Sequence, residues 1–345
     1  MKTDRKPFPG ALVISLDFEL HWGLINAFPL EVIRERLLGT RKAIPLILKL
    51  FEDFEIHATW ASVGFLFHRT RNDLVAAIPD CRPSAEDGML MPYDLLADIG
   101  ADELSDPCHY ASSIVDQIRE TPNQEIATHT FAHCIWDRVP ADTDAFRADL
   151  SAVFRTARAK GVVISSIVFP QNKYNPDLLR VLREEGIIAF RGNGQYWYSF
   201  LERKDKASYL LFRCFRMVDR HISLSGSNVY TLESIGDGPP YNVPGSMGLE
   251  YFSHAPWLSV LEPLRLRRLT SSLRRAAEQR KIFHLWWHPH QFGEDSERKL
   301  DFLKRFLSHF ADLREKHGIE SLTMKEVVER LQLNGTSTDR PEVGH

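Results

Sequence analysis

The stretch Ala11-Leu12-Val13-Ile14-Ser15-Leu16-Asp17-Phe18-Glu19-Leu20-His21-Trp22-Gly23 decides how this chain folds. Leu12, Val13, Ile14 and Leu16 form an apolar run too short to cross a membrane but suited to a strand covered on both faces. Residues two apart in an extended chain point the same way. Asp17, Glu19 and His21 therefore project from one side, where the strand leaves the core. Carboxylates placed there are costly unless a cation, a proton or a basic partner offsets their desolvation. His129 and His133, four residues apart, supply the rest of a candidate metal site.

Outward from this strand, Glu31 to Phe54 has helical spacing, with Ile33, Leu37, Ile44, Ile47, Leu48 and Phe51 on one stripe past a helix-compatible break near Gly39 to Pro45. Ala58 to Phe67 reads as the next strand, which starts a right-handed β-α-β crossover. Arg69 to Pro107 is interrupted by Pro79, Pro83, Gly88, Pro92 and Gly100, and reads as a surface insertion that could act as a lid. A helix at Ala111 to Arg119 leads to the strand Gln124 to Ala127, which delivers His129 and His133. A helix capped by Thr143 or Asp144 runs through Ala159.

Two further strands, Ile164 to Phe169 and Ile187 to Phe190, flank a helix at Pro176 to Glu185 and open into Asn172 and Arg191 respectively. Gln195 to Pro263 is aromatic and loop-rich, with a helix around Leu210 to Arg220, and reads as a second insertion. Helix Leu264 to Arg280, strand Ile282 to Trp287 and helices Glu297 to His317 and Thr323 to Leu331 complete the pattern. Alternating strands and helices predict one α/β domain over 1–333 with a parallel sheet, and a frayed tail over 334–345. Asp17, His129, Asn172, Arg191 and His288 each follow a strand, and such positions converge on one mouth of a parallel sheet.

Composition excludes several classes of function. With 43% hydrophobic and 26% charged residues the chain is an ordinary globular one, and the net charge of -3 with mixed signs leaves no basic face for nucleic acid or anionic membrane. The four cysteines lack a C-x-x-C pair and read as reduced thiols. No segment approaches the ~20 apolar residues of a spanning helix, and the first ten residues lack the features of a signal peptide. The expectation is a cytoplasmic protein whose partners are small molecules.

One carboxylate and two imidazoles around a cation, with positions open to water, form a hydrolytic design. It needs a base to take the proton of water and an acid for the departing amine. Asp17, beside Glu19, is placed for the first task and His288 for the second. His21 is expected beside the ligands rather than among them, unless it packs on Trp22. His290 can be a loop histidine held by Pro289, and Arg191 either a site residue or a solvated charge. His109 and His284 carry no supporting neighbours and read as structural.

At this point the motifs resemble a family. Ser15-Leu16-Asp17-Phe18-Glu19, His129-Thr130-Phe131-Ala132-His133 and Leu285-Trp286-Trp287-His288 are similar, in order, to motifs of the polysaccharide deacetylases, the family 4 carbohydrate esterases with a NodB-homology domain. The resemblance implies a deformed (β/α) barrel of about seven parallel strands and metal-dependent removal of acetyl groups from glycans. It places Asp17 as base, Glu19, His129 and His133 as metal ligands, with zinc the expected divalent ion, and His288 as general acid.

Two departures stand out. The family's first motif commonly has adjacent aspartates, whereas here Glu19 follows Asp17 at one remove. Its third motif usually carries an arginine that orients the base, and Pro170-Gln171-Asn172-Lys173-Tyr174 has none. Lys173 or Arg191 must then substitute, or the base is held differently. A backbone N–H near Asn172 or Tyr174 would stabilise the oxyanion, and Trp22, Tyr174, Trp197 and Trp287 are candidates for stacking on sugar rings. The leading expectation is a deacetylase of an amino sugar in a surface polysaccharide or its precursor. A hydrolase of a cyclic amide or formamide on the same metal site, and a carbohydrate-binding protein that has lost catalysis, are the alternatives.

Overall fold

Eight consecutive buried residues of the opening motif form β1 (Ala11–Phe18), the stave around which the rest is built. The computed structural model describes residues 7–83, 89–137, 142–194, 206–219, 225–249 and 261–335. The further strands are β2 (Ala58–Ser62), β3 (Gln124–Thr128), β4 (Ser166–Val168), β5 (Ala189–Arg191), β6 (Tyr241–Asn242), β7 (Met247–Gly248), β8 (Ile282–Trp287) and β9 (Glu320–Leu322). They pair in the order β6-β5-β4-β3-β2-β1-β8-β7, every pair parallel, with β9 set against the start of β1.

The two ends of this path are joined by the chain itself. Tyr241, Val243 and Gly245 donate backbone N–H groups to Ile188, Phe190 and Gly192, and then Ser246 and Leu249 donate to His284 and Trp286. One segment, 241–249, leans first on β5 and then on β8. Counting β6 and β7 as one stave turns the eight strands of the path into seven, and the sheet is a deformed β/α barrel, as the family resemblance implies.

The helices are α1 (Leu30–Asp53), α2 (Arg71–Ala77), α3 (Ser112–Glu120), α4 (Thr143–Ala159), α5 (Pro176–Glu184), α6 (Lys206–Asp219), α7 (Glu262–Gln279), α8 (Ser296–His317) and α9 (Met324–Gly335). Strand alternation divides the core in two. Leu12, Ile14, Leu16 and Phe18 face the surrounding helices, in a large cluster with Ile44, Ile47, Phe51 and Trp287. Ala11 and Val13 face inward with Ala61, Ala127, Val168 and Ala189, small side chains suited to a narrow interior. Met324, Val327 and Val328 of α9 join that inner cluster and close the barrel where its strands begin.

One expectation holds and others change. The helix α1 is continuous through Gly39 and Pro45. Gly39 is needed for contact rather than for a break, since a Cβ there would lie 1.9 Å from the Gly293 carbonyl oxygen. Asp142, not Thr143 or Asp144, caps α4 by accepting from the Ala145 N–H. The strands β6 and β7 fall inside the stretch 195–263, because two-residue strands carry no readable period. Within 69–107, Leu96 and Ile99 are buried in the main core, so the described part of that stretch is more than a surface loop. Residues 195–205, with the stacking candidate Trp197, and 336–345 of the tail lie outside the described residues.

Candidate active site

β1 aims Ser15 and Asp17 into the barrel, and the chain then turns through Leu20 at a φ of 47°. Glu19 sits in that turn, 4% exposed, with its carboxyl over Gly23, where a Cβ would come within 2.0 Å of it. Arg191, at the end of β5, forks onto Asp17: Nη1 donates to Oδ1 at 2.7 Å and Nη2 to Oδ2 at 2.6 Å. Its remaining N–H groups go to Ser15 Oγ (3.0 Å) and to Asn172 Oδ1 (3.2 and 3.0 Å). All five donors of a buried guanidinium are thereby used, while one face of the group lies 4.5 Å from the Trp286 ring.

The loop after β3 brings two imidazoles to the same place. Thr130 and His133 adopt left-handed conformations, φ 64° and 60°, a strained arrangement for non-glycine residues. The strain is held from below: buried Asp149 of α4 accepts from the Phe131 N–H at 2.8 Å. The Nε2 atoms of His129 and His133 lie 3.5 and 3.1 Å from Glu19 Oε2. Bonds of ~2.1 Å at tetrahedral angles would set neighbouring donors ~3.4 Å apart. His129 Nδ1 is 2.7 Å from the Val168 carbonyl oxygen, which accepts from its N–H, keeps the proton on Nδ1 and leaves Nε2 a lone pair. Glu19, His129 and His133, whose ligand atoms all lie within 4.8 Å of one another, fit a divalent cation.

The strand β8 points His284, Trp286 and, just past its end, His288 inward and Phe283, Leu285 and Trp287 outward. His288 Nε2 stands 3.7 Å from Asp17 Oδ2 and 3.8 Å from Glu19 Oε1. Its side chain is 27% exposed against 3–4% for the two acids, so it is the member open to solvent. His290 Nδ1 lies 3.6 Å from Glu19 Oε1 and is buried without a hydrogen bond among the described residues.

Burial alone would raise both acids. For Asp17 the Arg191 guanidinium, with His129 and His288, reverses the shift, and for Glu19 the surrounding imidazoles do so more strongly. Burial lowers His133 and, with the neighbouring His288, brings His290 down to about 3. The carboxylates are held ionised, and the His133 and His290 rings give up their protons readily, which suits groups that bind metal.

Of the residues singled out from sequence, Asp17, Glu19, His129, His133, Arg191, Asn172, His288 and His290 are brought together. His21 turns away: its Nδ1 is 2.8 Å from His109 Nε2, and His109 Nδ1 is 2.8 Å from Asp106. Trp22 is fully buried and donates to the His109 carbonyl, so it is core. Trp287 is likewise buried, and Tyr174 packs between Phe169 and Phe190. Between the two substitutes for the missing arginine, Lys173 pairs with Asp137 at 2.8 Å and Arg191 pairs with Asp17. Ser15, Asp149, His284 and Trp286 were missed. Period-two alternation was the available signal for three of them, because Ser15 shares a face with Asp17, and His284 and Trp286 with His288.

No protein-family model and no curated protein matches the sequence. Solved structures do match. A protein described as a polysaccharide deacetylase from Mycobacterium smegmatis superposes with a TM-score of 0.58 at 14% identity, over 98% of this chain and 97% of its own. One from Pseudomonas aeruginosa PAO1, also described as a polysaccharide deacetylase, gives 0.53 at 13% identity over 96% of each chain. Puue allantoinase gives 0.52 at 12% identity over 96% of this chain and 95% of its own. With its parallel barrel and the order of its strand-end motifs, this chain has the polysaccharide deacetylase fold.

Proposed function

We propose that the protein is a divalent-metal-dependent amide hydrolase that removes an acetyl group from an amino sugar of a surface polysaccharide or its precursor. The observation that carries this reading is an Arg191-clamped Asp17 and a solvent-open His288 on either side of the Glu19, His129 and His133 cluster. A cation held by those three residues, zinc or a related ion, supplies polarisation of the acyl carbonyl and a lowered pKa for water. Asp17, kept ionised by Arg191, takes a proton from water as the oxygen attacks the carbonyl carbon. Asn172 spends its N–H on the Phe169 carbonyl, which leaves the Tyr174 N–H, unpartnered among the described residues, to face the oxyanion. His288 then gives a proton to the sugar nitrogen as the carbon–nitrogen bond breaks, and acetate departs.

A second reading keeps the site and changes the substrate to a cyclic amide or formamide. It is favoured by the burial of Trp22 and Trp287, which removes two expected sugar platforms, and by an allantoinase among the similar folds. A binding protein without catalysis was suggested by the missing third-motif arginine, and Arg191 on Asp17 argues against it. The test is metal analysis of the purified chain and its His129→Ala variant, with acetate release from acetylated amino sugars assayed beside hydrolysis of cyclic amides. Unchanged metal in the variant removes His129 from the site, and turnover of cyclic amides alone replaces the sugar.

A further inference from the structure

The arginine clamp has a support of its own behind it. Ser15 lies two residues before Asp17 on β1, with Oγ 3.0 Å from Arg191 Nη1 and 2.8 Å from His284 Nε2. A guanidinium only donates, so Ser15 Oγ accepts from it, and its single hydroxyl proton is left for His284 Nε2. On the other side of the ring, Nδ1 is 3.2 Å from the Val243 carbonyl oxygen, which only accepts. The proton of the imidazole therefore sits on Nδ1, and every hydrogen bond runs one way, from Arg191 to Ser15 to His284 to Val243.

The whole chain is sealed from water, with Ser15 and His284 0% exposed and Arg191 1%. Burial, reinforced by the nearby Arg191 charge, brings His284 down to about 3, so the ring is neutral as the direction of the bonds requires. Val243 belongs to the segment that closes the barrel between β5 and β8, and Ser246 Oγ in that segment accepts from the His284 N–H at 3.0 Å. The hydrogen bonds thus run from the group that grips Asp17 to the closing seam.

We propose that Ser15 and His284 are positioning residues that hold the Arg191 guanidinium in the plane of the Asp17 carboxylate, so that barrel closure and the orientation of the base are one event. This rests on the reading of Asp17 as general base. Remove Ser15 Oγ and one N–H of Arg191 loses its acceptor. Replace His284 with an apolar residue and the Ser15 hydroxyl is free to rotate toward the guanidinium, which breaks the geometry of the fork.

The test pairs kinetics with a readout independent of turnover. His284→Leu and Ser15→Ala are expected to lower kcat by about 100-fold, the scale of a 1 Å misplacement, with KM and metal content unchanged. His284→Gln, whose amide can accept from Ser15 and donate to Val243, restores most of the loss. In an Arg191→Ala background, His284→Leu costs nothing more, because its target is gone. An equal loss in that background, or no rescue by Gln, overturns the proposal. Imidazole 15N NMR should find His284 neutral with its proton on Nδ1, and the Nε2 signal should move in Ser15→Ala. A proton on Nε2 overturns the chain of bonds itself. A protein with the expected tautomer that hydrolyses no amide overturns the hydrolase reading while supporting the hydrogen-bond chain.

Discussion

Arg191 and Asp17, 174 positions apart in the chain, meet through two parallel hydrogen bonds of 2.7 and 2.6 Å. A planar fork matched to a carboxylate fixes both the charge and the direction of its oxygens, which a point charge such as lysine cannot do.

Arg191→Ala should therefore be costly twice. It leaves a buried carboxylate without its partner, a change on the order of 3–5 kcal/mol in stability, and it frees the Asp17 carboxylate to rotate. Arg191→Lys should fold better than the alanine variant yet regain little activity. Denaturation midpoints and kcat for the two variants check this, and a lysine variant with full activity would refute the role of the fork.

Asp17→Asn keeps size and one acceptor for Arg191 but cannot take a proton. Its kcat should fall by about 100- to 10,000-fold while metal content stays at the wild-type level. Loss of metal together with rate would place Asp17 among the ligands instead.

Asp149 supports the His129 to His133 loop and is fully buried, with burial bringing its carboxyl up to about 7. An unfolded aspartate titrates near ~3.9. Between those values the native chain holds the extra proton, so this group's contribution to stability is complete below pH ~4 and is lost as pH rises through 7. Asp149→Asn should flatten stability against pH in that window, as urea midpoints measured from pH 4.5 to 7.5 would reveal. Asp149→Ala should cost about 1–3 kcal/mol by leaving the Phe131 N–H without its acceptor.

Gly39 of α1 touches the Gly293 carbonyl, just past the turn that carries His288 and His290. Gly39→Ala forces a methyl into backbone that cannot yield as a side chain can, at a cost of about 1–3 kcal/mol. A lower Tm with reduced kcat and normal metal content is the expected outcome. Unchanged kcat would mean that the turn moves without carrying His288 out of place.

How far the site could be read beforehand depends on the distance over which each signal acts. The alternation of Asp17 with Glu19 and the four-residue step from His129 to His133 are local, and both end in the cluster they suggested. The choice between Lys173 and Arg191 is not local. Lys173 occupies the motif position but finds Asp137 within reach, and Arg191 finds Asp17 only because β5 curves around the barrel. Trp22 and Trp287 carried the right chemistry for a sugar platform, and the direction in which each side chain points buried them both.

By itself, the sequence determined a parallel α/β core and the residues that end its strands, since apolar runs and residue parity are properties of neighbours along the chain. Only the tertiary structure decided which of those ends face one another. Closure through 241–249 sets the curvature of the ring, and that curvature brings Arg191 to Asp17 and His284 to Ser15 across separations that no local pattern encodes.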